Sequence, residues 1–153
     1  PVRPFALYAA KFCAMAKMAL LTQIWLLVLF LIGGKLGAGL TGFPPPEILL
    51  WLLRGAVGGL PIIAIQLLLS MVIRNFALPV LMALGGSILG LMATTSNAGL
   101  FWPYSLMLMG MNSNRTEDVM TGQLPGFFLS CIIFLAIFLL TADAVLAKQD
   151  VKA

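Results

Sequence analysis

The side chains that could do chemistry in this chain are a few polar groups within long apolar stretches. Gln23 and Gln66 lie inside apolar segments, and Asp143 lies near the end of the last one. Polar groups are costly inside a membrane, so they are the first candidates for function there. Gln66 has two interpretations: part of a polar substrate pathway, or an interhelical hydrogen bond worth about 1 kcal/mol or less. For Gln66 the hydrogen bond is the more frequent outcome, and Asp143 is close enough to an interface to be solvated.

The residue types that catalysis needs are missing or badly placed. The chain has no histidine, which is the usual general base and metal ligand. It has no glycine-rich loop ending in Lys-Ser or Lys-Thr, the pattern that binds ATP phosphates. Glu117 and Asp118 are adjacent in a polar stretch where solvent is expected to surround them. We therefore expect no enzyme activity, no metal site and no cofactor in this chain.

Composition places these residues in a membrane protein. Hydrophobic residues make up 61% of the chain and charged residues 9%, against about 45–50% and about 25% in soluble domains. The nine basic residues are scattered, with no cluster of the kind that neutralises a nucleic-acid backbone. The chain is therefore expected to contact a lipid bilayer and no nucleic acid.

The apolar stretches predict four membrane-spanning helices, because a bilayer core of about 30 Å needs about 20 helical residues. They are expected over 12–32, 47–73, 76–95 and 126–142, with a kink at Pro61 in the second helix. Residues 96–125 form an irregular segment, which fits a re-entrant or interfacial element on the outer side. The predicted fold is an all-α polytopic membrane helix bundle, a single transmembrane domain over 1–153. The pairs Gly55/Gly59 and Gly86/Gly90 suggest close packing within the bundle or in a dimer.

Orientation follows from the Lys and Arg residues that flank the helices, because cytoplasmic loops are rich in them. With the N-terminus inside, six basic residues are cytoplasmic: Arg3, Lys11, Lys17, Arg74, Lys148 and Lys152. The outer side then carries Lys35, Arg54 and Arg115, and the aromatic residues Trp51, Phe101, Trp102 and Tyr104 fall near the outer boundary. We expect a multi-pass protein of the cell (plasma or inner) membrane with both termini cytoplasmic.

Two short motifs resemble a known family. The first residues, with Pro1, Val2, Tyr8 and Lys11, resemble the segment between the second and third helices of ABC-2-type transporter permeases. Arg3 stands one place earlier than the arginine of that family's pattern. The run 99–105, which contains Phe101-Trp102-Pro103-Tyr104, is similar to a feature of permeases from lantibiotic (bacteriocin) immunity exporters.

The resemblance implies that the chain is the C-terminal four-helix part of a longer permease. Arg3, Tyr8 and Lys11 would belong to the segment that transmits the movement of a separate ATP-binding cassette ATPase. Two permease subunits, identical or different, would enclose a pathway lined by Gln23 and Gln66, and residues 96–125 would be the family's outer re-entrant element. A hydrophobic or amphipathic substrate, such as a peptide, would suit these walls. The alternatives are a non-transporting scaffold or accessory subunit, and a fragment of a secondary transporter.

Overall fold

Five α-helices form the fold in this computed structural model, within the residues that it describes: 4–39, 41–42, 46–96, 98–113, 117–118 and 120–150. In chain order they are α1 (Pro4–Ile32), α2 (Glu47–Val72), α3 (Ala77–Thr94), α4 (Pro103–Gly110) and α5 (Leu124–Asp150). The described residues contain no β-strand. Every helix except α4 is long and apolar enough to cross a membrane. The predicted all-α membrane bundle with four spans is therefore confirmed.

The first and last helices are longer than the apolar pattern predicted. Helix α1 begins at Pro4 and continues through a π-helical turn, Gly33–Gly37, while α5 continues to Asp150. The prediction placed helix ends where the sequence ceases to be apolar. Alanine, the strongest helix former, is frequent in residues 4–11 and 143–150, although the π-helical turn contains none. The backbone therefore stays helical beyond the apolar span.

One end of the bundle joins the beginning of α1, the end of α2 and the end of α5. There Tyr8 is packed with Leu67, Leu68, Ala142 and Leu146 in a buried cluster. We call this the terminal end of the bundle, because both the first and the last helix reach it. Of the basic residues used to predict orientation, Arg3, Arg115 and Lys152 lie outside the described residues, and the cytoplasmic placement of this end remains a prediction.

The short helix α4 lies inside the bundle, with α2 and α3 as its main neighbours and α5 also in contact. After α3 the chain reverses, forms a 3₁₀ turn (Gly99–Phe101) and enters α4. The α4 backbone meets α2 at Gly58 through Leu106 and at Arg54 through Gly110, so the two helices run antiparallel. Pro61 lies within a continuous α2. The irregular stretch predicted over 96–125 thus contains a helix buried by its neighbours.

Gly58 should be indispensable to this packing, whereas the adjacent Gly59 should not. A Cβ on Gly58 would lie 2.6 Å from the carbonyl oxygen of Leu106, but one on Gly59 would meet only the sulfur of Met107 at 3.9 Å. Replacing Gly58 by Ala should lower the free energy of unfolding by about 1–3 kcal/mol through overpacking. Gly59→Ala gains helix propensity and should be neutral or stabilising. Thermal unfolding in detergent micelles measures both, and equal midpoints would contradict the close approach.

Candidate functional site

Glycines of α2 and α3 line the place where α4 packs. A Cβ on Gly86 would lie 2.7 Å from the ring of Tyr104, and one on Gly90 would lie 3.0 Å from the Tyr104 carbonyl carbon. On the other side, a Cβ on Gly110 would lie 2.7 Å from the carbonyl oxygen of Arg54. The predicted small-residue pair of α3 therefore packs within the bundle. In α2, Gly58 lies close to the α4 backbone at Leu106, and Gly55 lies close to Met111 just after α4. Gly59 has no such close contact.

Both ends of α4 are closed by local structure. Pro103 occupies the first turn, where its missing N–H costs nothing. At the other end Asn112 adopts a left-handed conformation with φ 51°. Its N–H donates to the Met109 carbonyl and the N–H of Ser113 donates to the Leu108 carbonyl, which is the Schellman arrangement. Backbone groups that lipid could not satisfy are thereby paired within the protein.

A chain of polar contacts ties the beginning of α4 to α2 and α3. Gln66 Nε2 donates to the hydroxyl of Tyr104, with 2.5 Å between the two atoms. Trp102 Nε1 donates to the carbonyl oxygen of Gly86 at 2.9 Å. The hydroxyl of Ser105, which is fully buried, donates to the Gly99 carbonyl and also lies 2.7 Å from that of Trp102. Gln66 thus makes the interhelical hydrogen bond that was one of its two predicted roles.

The four aromatic and proline residues singled out from the sequence have different surroundings. Tyr104 is 7% exposed and Pro103 is buried, whereas Trp102 is half-buried. Phe101 is 78% exposed and points away from the bundle. The motif therefore serves mainly for packing. Pro103 and Tyr104 hold the beginning of α4 in place, whereas the ring of Phe101 lies on the surface.

An ion pair that sequence reasoning missed closes the opposite end of α4. Arg54, about two turns into α2, lies 2.7 Å from a carboxylate oxygen of Asp118, and its Nη1 donates to both oxygens. The Arg54 side chain is 7% exposed and that of Asp118 29%. The sequence analysis had treated Arg54 as a topology signal and Asp118 as solvated. A charge that deep in an apolar helix signals a need for a partner, but the partner is 64 residues away in sequence.

The pKa of Asp118 reflects its contacts. Desolvation by burial raises the pKa, but the hydrogen bond and the charge of Arg54 and the N–H of Met120 outweigh it, so the pKa is lowered from 3.8. The indole of Trp51 is close enough to lower it further, although Trp51 Nε1 makes no hydrogen bond of normal geometry to the described residues. Asp118 is therefore ionised at neutral pH and neutralises the buried Arg54.

The residues predicted to couple to an ATPase are placed at the terminal end. Tyr8 is fully buried, and its hydroxyl donates to the carbonyl oxygen of Ala64 in α2 at 2.7 Å. Lys11, one turn further on, is exposed. Arg3 lies outside the described residues. Tyr8 therefore cannot offer its side chain to a partner in this conformation, but it fastens the beginning of α1 to α2.

Gln23, the other predicted pathway residue, lies in an apolar groove between α1 and α2. It is 6% exposed, and no donor among the described residues reaches its Oε1. The structure does not bring Gln23 and Gln66 together: Gln66 lines neither cavity of this groove and bonds instead to α4. Among the described residues there is also no group of three His, Cys, Asp or Glu side chains that could hold a metal ion.

The Gln66–Tyr104 hydrogen bond can be measured by a double-mutant cycle. Gln66→Leu and Tyr104→Phe should each destabilise the protein, and the double variant should be less destabilised than their sum. A coupling energy of about 0.6–1.7 kcal/mol is expected for hydrogen bonds between membrane helices. Thermal unfolding of the four proteins in the same detergent gives the value, and strict additivity would argue against the bond.

Removing the charge of Asp118 should lower the stability of the fold, because the buried Arg54 then has no opposite charge beside it. Asp118→Asn should lower the free energy of unfolding at neutral pH by about 1–3 kcal/mol, while Glu117→Gln, at an exposed neighbour, should not. Because the pKa of Asp118 is lowered on folding, its contribution is present above pH 3.8 and is lost as the pH falls below that value. The stability difference between wild type and Asp118→Asn should thus narrow only in strong acid. If wild type and Asp118→Asn became equally stable already at mildly acidic pH, this result would contradict the ion pair.

Comparison of the chain with models of known protein families, with curated proteins and with solved structures finds no match. The functional conclusion therefore rests on the contacts described above and on the resemblance of the two short motifs.

Proposed function

We propose that this chain is the membrane-spanning permease subunit of an ABC exporter, which moves a hydrophobic or amphipathic substrate, such as a peptide, with energy from a separate ATPase. The observation that carries the proposal is α4, a short helix inside the four-helix bundle that follows a chain reversal. Broken helices of this kind occur at membrane depth where they pack on protein or line a water-filled cavity. The same region carries the motif that resembles the immunity exporters.

The terminal end supports a coupling role for the first turns of α1. Tyr8 binds the Ala64 carbonyl and packs against Leu67 and Leu146. A force applied to the exposed Lys11 would therefore be passed to α2 and α5 through a buried cluster. An ATPase partner that pulls on this segment would move three of the four long helices together.

The exposed surface of α1 supports a second permease subunit. In an apolar stretch of 18 residues in α1 only 6% of the residues are buried, against 33% in the corresponding stretch of α2. Large apolar side chains such as Met18, Trp25 and Phe30 are more than half exposed. Lipid or the helices of another subunit can cover this face, and in an exporter a homodimer or heterodimer would enclose the pathway.

The proposal predicts that charge reversal at Arg3 and Lys11 uncouples ATP hydrolysis from transport. The double variant Arg3→Glu/Lys11→Glu should keep its helix content, because Lys11 is exposed, and lose most transport. Transport and ATPase activity are measured in proteoliposomes that contain the ATPase encoded beside the permease gene. The matched control is Lys35→Glu, which reverses a charge at the other end of α1.

Three outcomes would count against this function. Unchanged transport in the double variant would remove the coupling role. A gene neighbourhood without a P-loop ATPase, together with purification in a stable complex that contains none, would favour an accessory subunit. Transport driven by an ion gradient in the absence of any ATPase would favour a secondary transporter.

A further inference from the structure

A groove between α1 and α2 has the features of a ligand site. It consists of two adjoining cavities of about 600 Å³ and about 220 Å³ that share Gln23 and Leu26 in their walls. Pockets for small molecules usually measure about 300–1,000 Å³. The groove follows α1 from Lys17 to Phe30, a length of about 20 Å. This length fits an extended chain such as the acyl chain of a lipid.

Gln23 gives this apolar groove one specific polar group. Its side chain is 94% buried, since 6% is exposed, and its Oε1 has no donor among the described residues. Leaving such an acceptor buried and unpaired is costly. The last torsion of a glutamine side chain is soft, so a small rotation of the amide can aim Oε1 at a guest. The guest should therefore carry an O–H or N–H donor.

Lys17 marks one end of the groove. Of the described residues that line the two cavities, Lys17 alone is charged, and its side chain is exposed. Gln23 follows Lys17 by six positions on the same helix, which places them about 9 Å apart along the axis. The order along the groove is then a cation, a hydrogen-bond acceptor and an apolar channel that ends at Phe30.

We propose that this groove binds an anionic single-chain phospholipid, a lysophospholipid, that enters from the bilayer. The phosphate lies at Lys17, the free hydroxyl of the glycerol donates to Gln23 Oε1, and the acyl chain follows Leu26 toward Phe30. Phosphatidic acid lacks this hydroxyl, because its second acyl chain is esterified at that position. Helices α1 and α2 supply all of its walls except Met107 of α4 and Met111 just after it. The site does not rest on the proposed transport function.

Native mass spectrometry of the purified protein with lysophosphatidic acid, which carries a phosphate and a single free glycerol hydroxyl, tests the site. One molecule should bind per chain, and Gln23→Leu should weaken binding about tenfold, the effect of one buried hydrogen bond. Lys17→Gln should weaken it several-fold and reduce its salt dependence. The matched controls Gln123→Leu and Lys148→Gln change the same residue types at exposed positions outside the groove and should bind as the wild type does.

Ligand variants separate the chemical requirements. Removal of the free glycerol hydroxyl should weaken binding to the wild type but not to Gln23→Leu, and phosphatidic acid, which has an acyl ester in place of that hydroxyl, should bind weakly to the wild type. Equal binding of all these lipids, or equal binding by the groove and control variants, would overturn the site. A protein segment found cross-linked in the groove through Gln23→Cys, with lysophospholipid unable to displace it, would also overturn it. Gln23→Leu should not lower the thermal-unfolding midpoint, because it removes an unpaired buried acceptor, so a loss of binding reflects the missing acceptor and not unfolding.

Discussion

The close approach of backbones around α4 is the constraint on which the rest of this structure depends. A helix of eight residues leaves as many unpaired backbone groups at its ends as it pairs within, and lipid cannot satisfy them. Such a helix persists inside a bundle only when its ends are capped and its neighbours come near. Gly58, Gly86, Gly90 and Gly110 permit that approach, because a Cβ at any of them would lie only 2.6–3.0 Å from backbone or ring atoms.

The polar contacts follow from this placement. Once α4 is seated, Tyr104 reaches Gln66 at one end and the chain after α4 brings Asp118 to Arg54 at the other. The two contacts lie twelve residues apart on α2, about 18 Å along its axis. They hold the broken segment at both ends, while the apolar cluster around Leu106, Met120 and Phe127 fills the space between α4 and α5. Polar side chains here specify where an irregular element sits.

Helix α1 is attached in a different way. Its first turns are fixed by Tyr8 in the buried cluster at the terminal end, but the rest of the helix is separated from much of α2 by the groove at Gln23. A helix fixed at one end can tilt with little loss of packing. This asymmetry is suited both to passing on a movement that starts near Lys11 and to admitting a chain-like molecule from the bilayer.

The sequence by itself determined the membrane class, the four spans and the irregular stretch before α5, because apolar length and breaks in the helical pattern are local properties. It also identified Gln66 as a hydrogen-bonding candidate and the α3 glycines as a packing face. It could not identify the partners. Tyr104 and Gln66 are 38 residues apart in sequence and Arg54 and Asp118 are 64, and no local pattern encodes which side chains meet across a bundle. Only the tertiary structure decided that Tyr8 is buried, that Gln23 faces a groove and that Tyr104 packs against the glycines of α3. Each of these outcomes depends on how helices that are distant in sequence pack together.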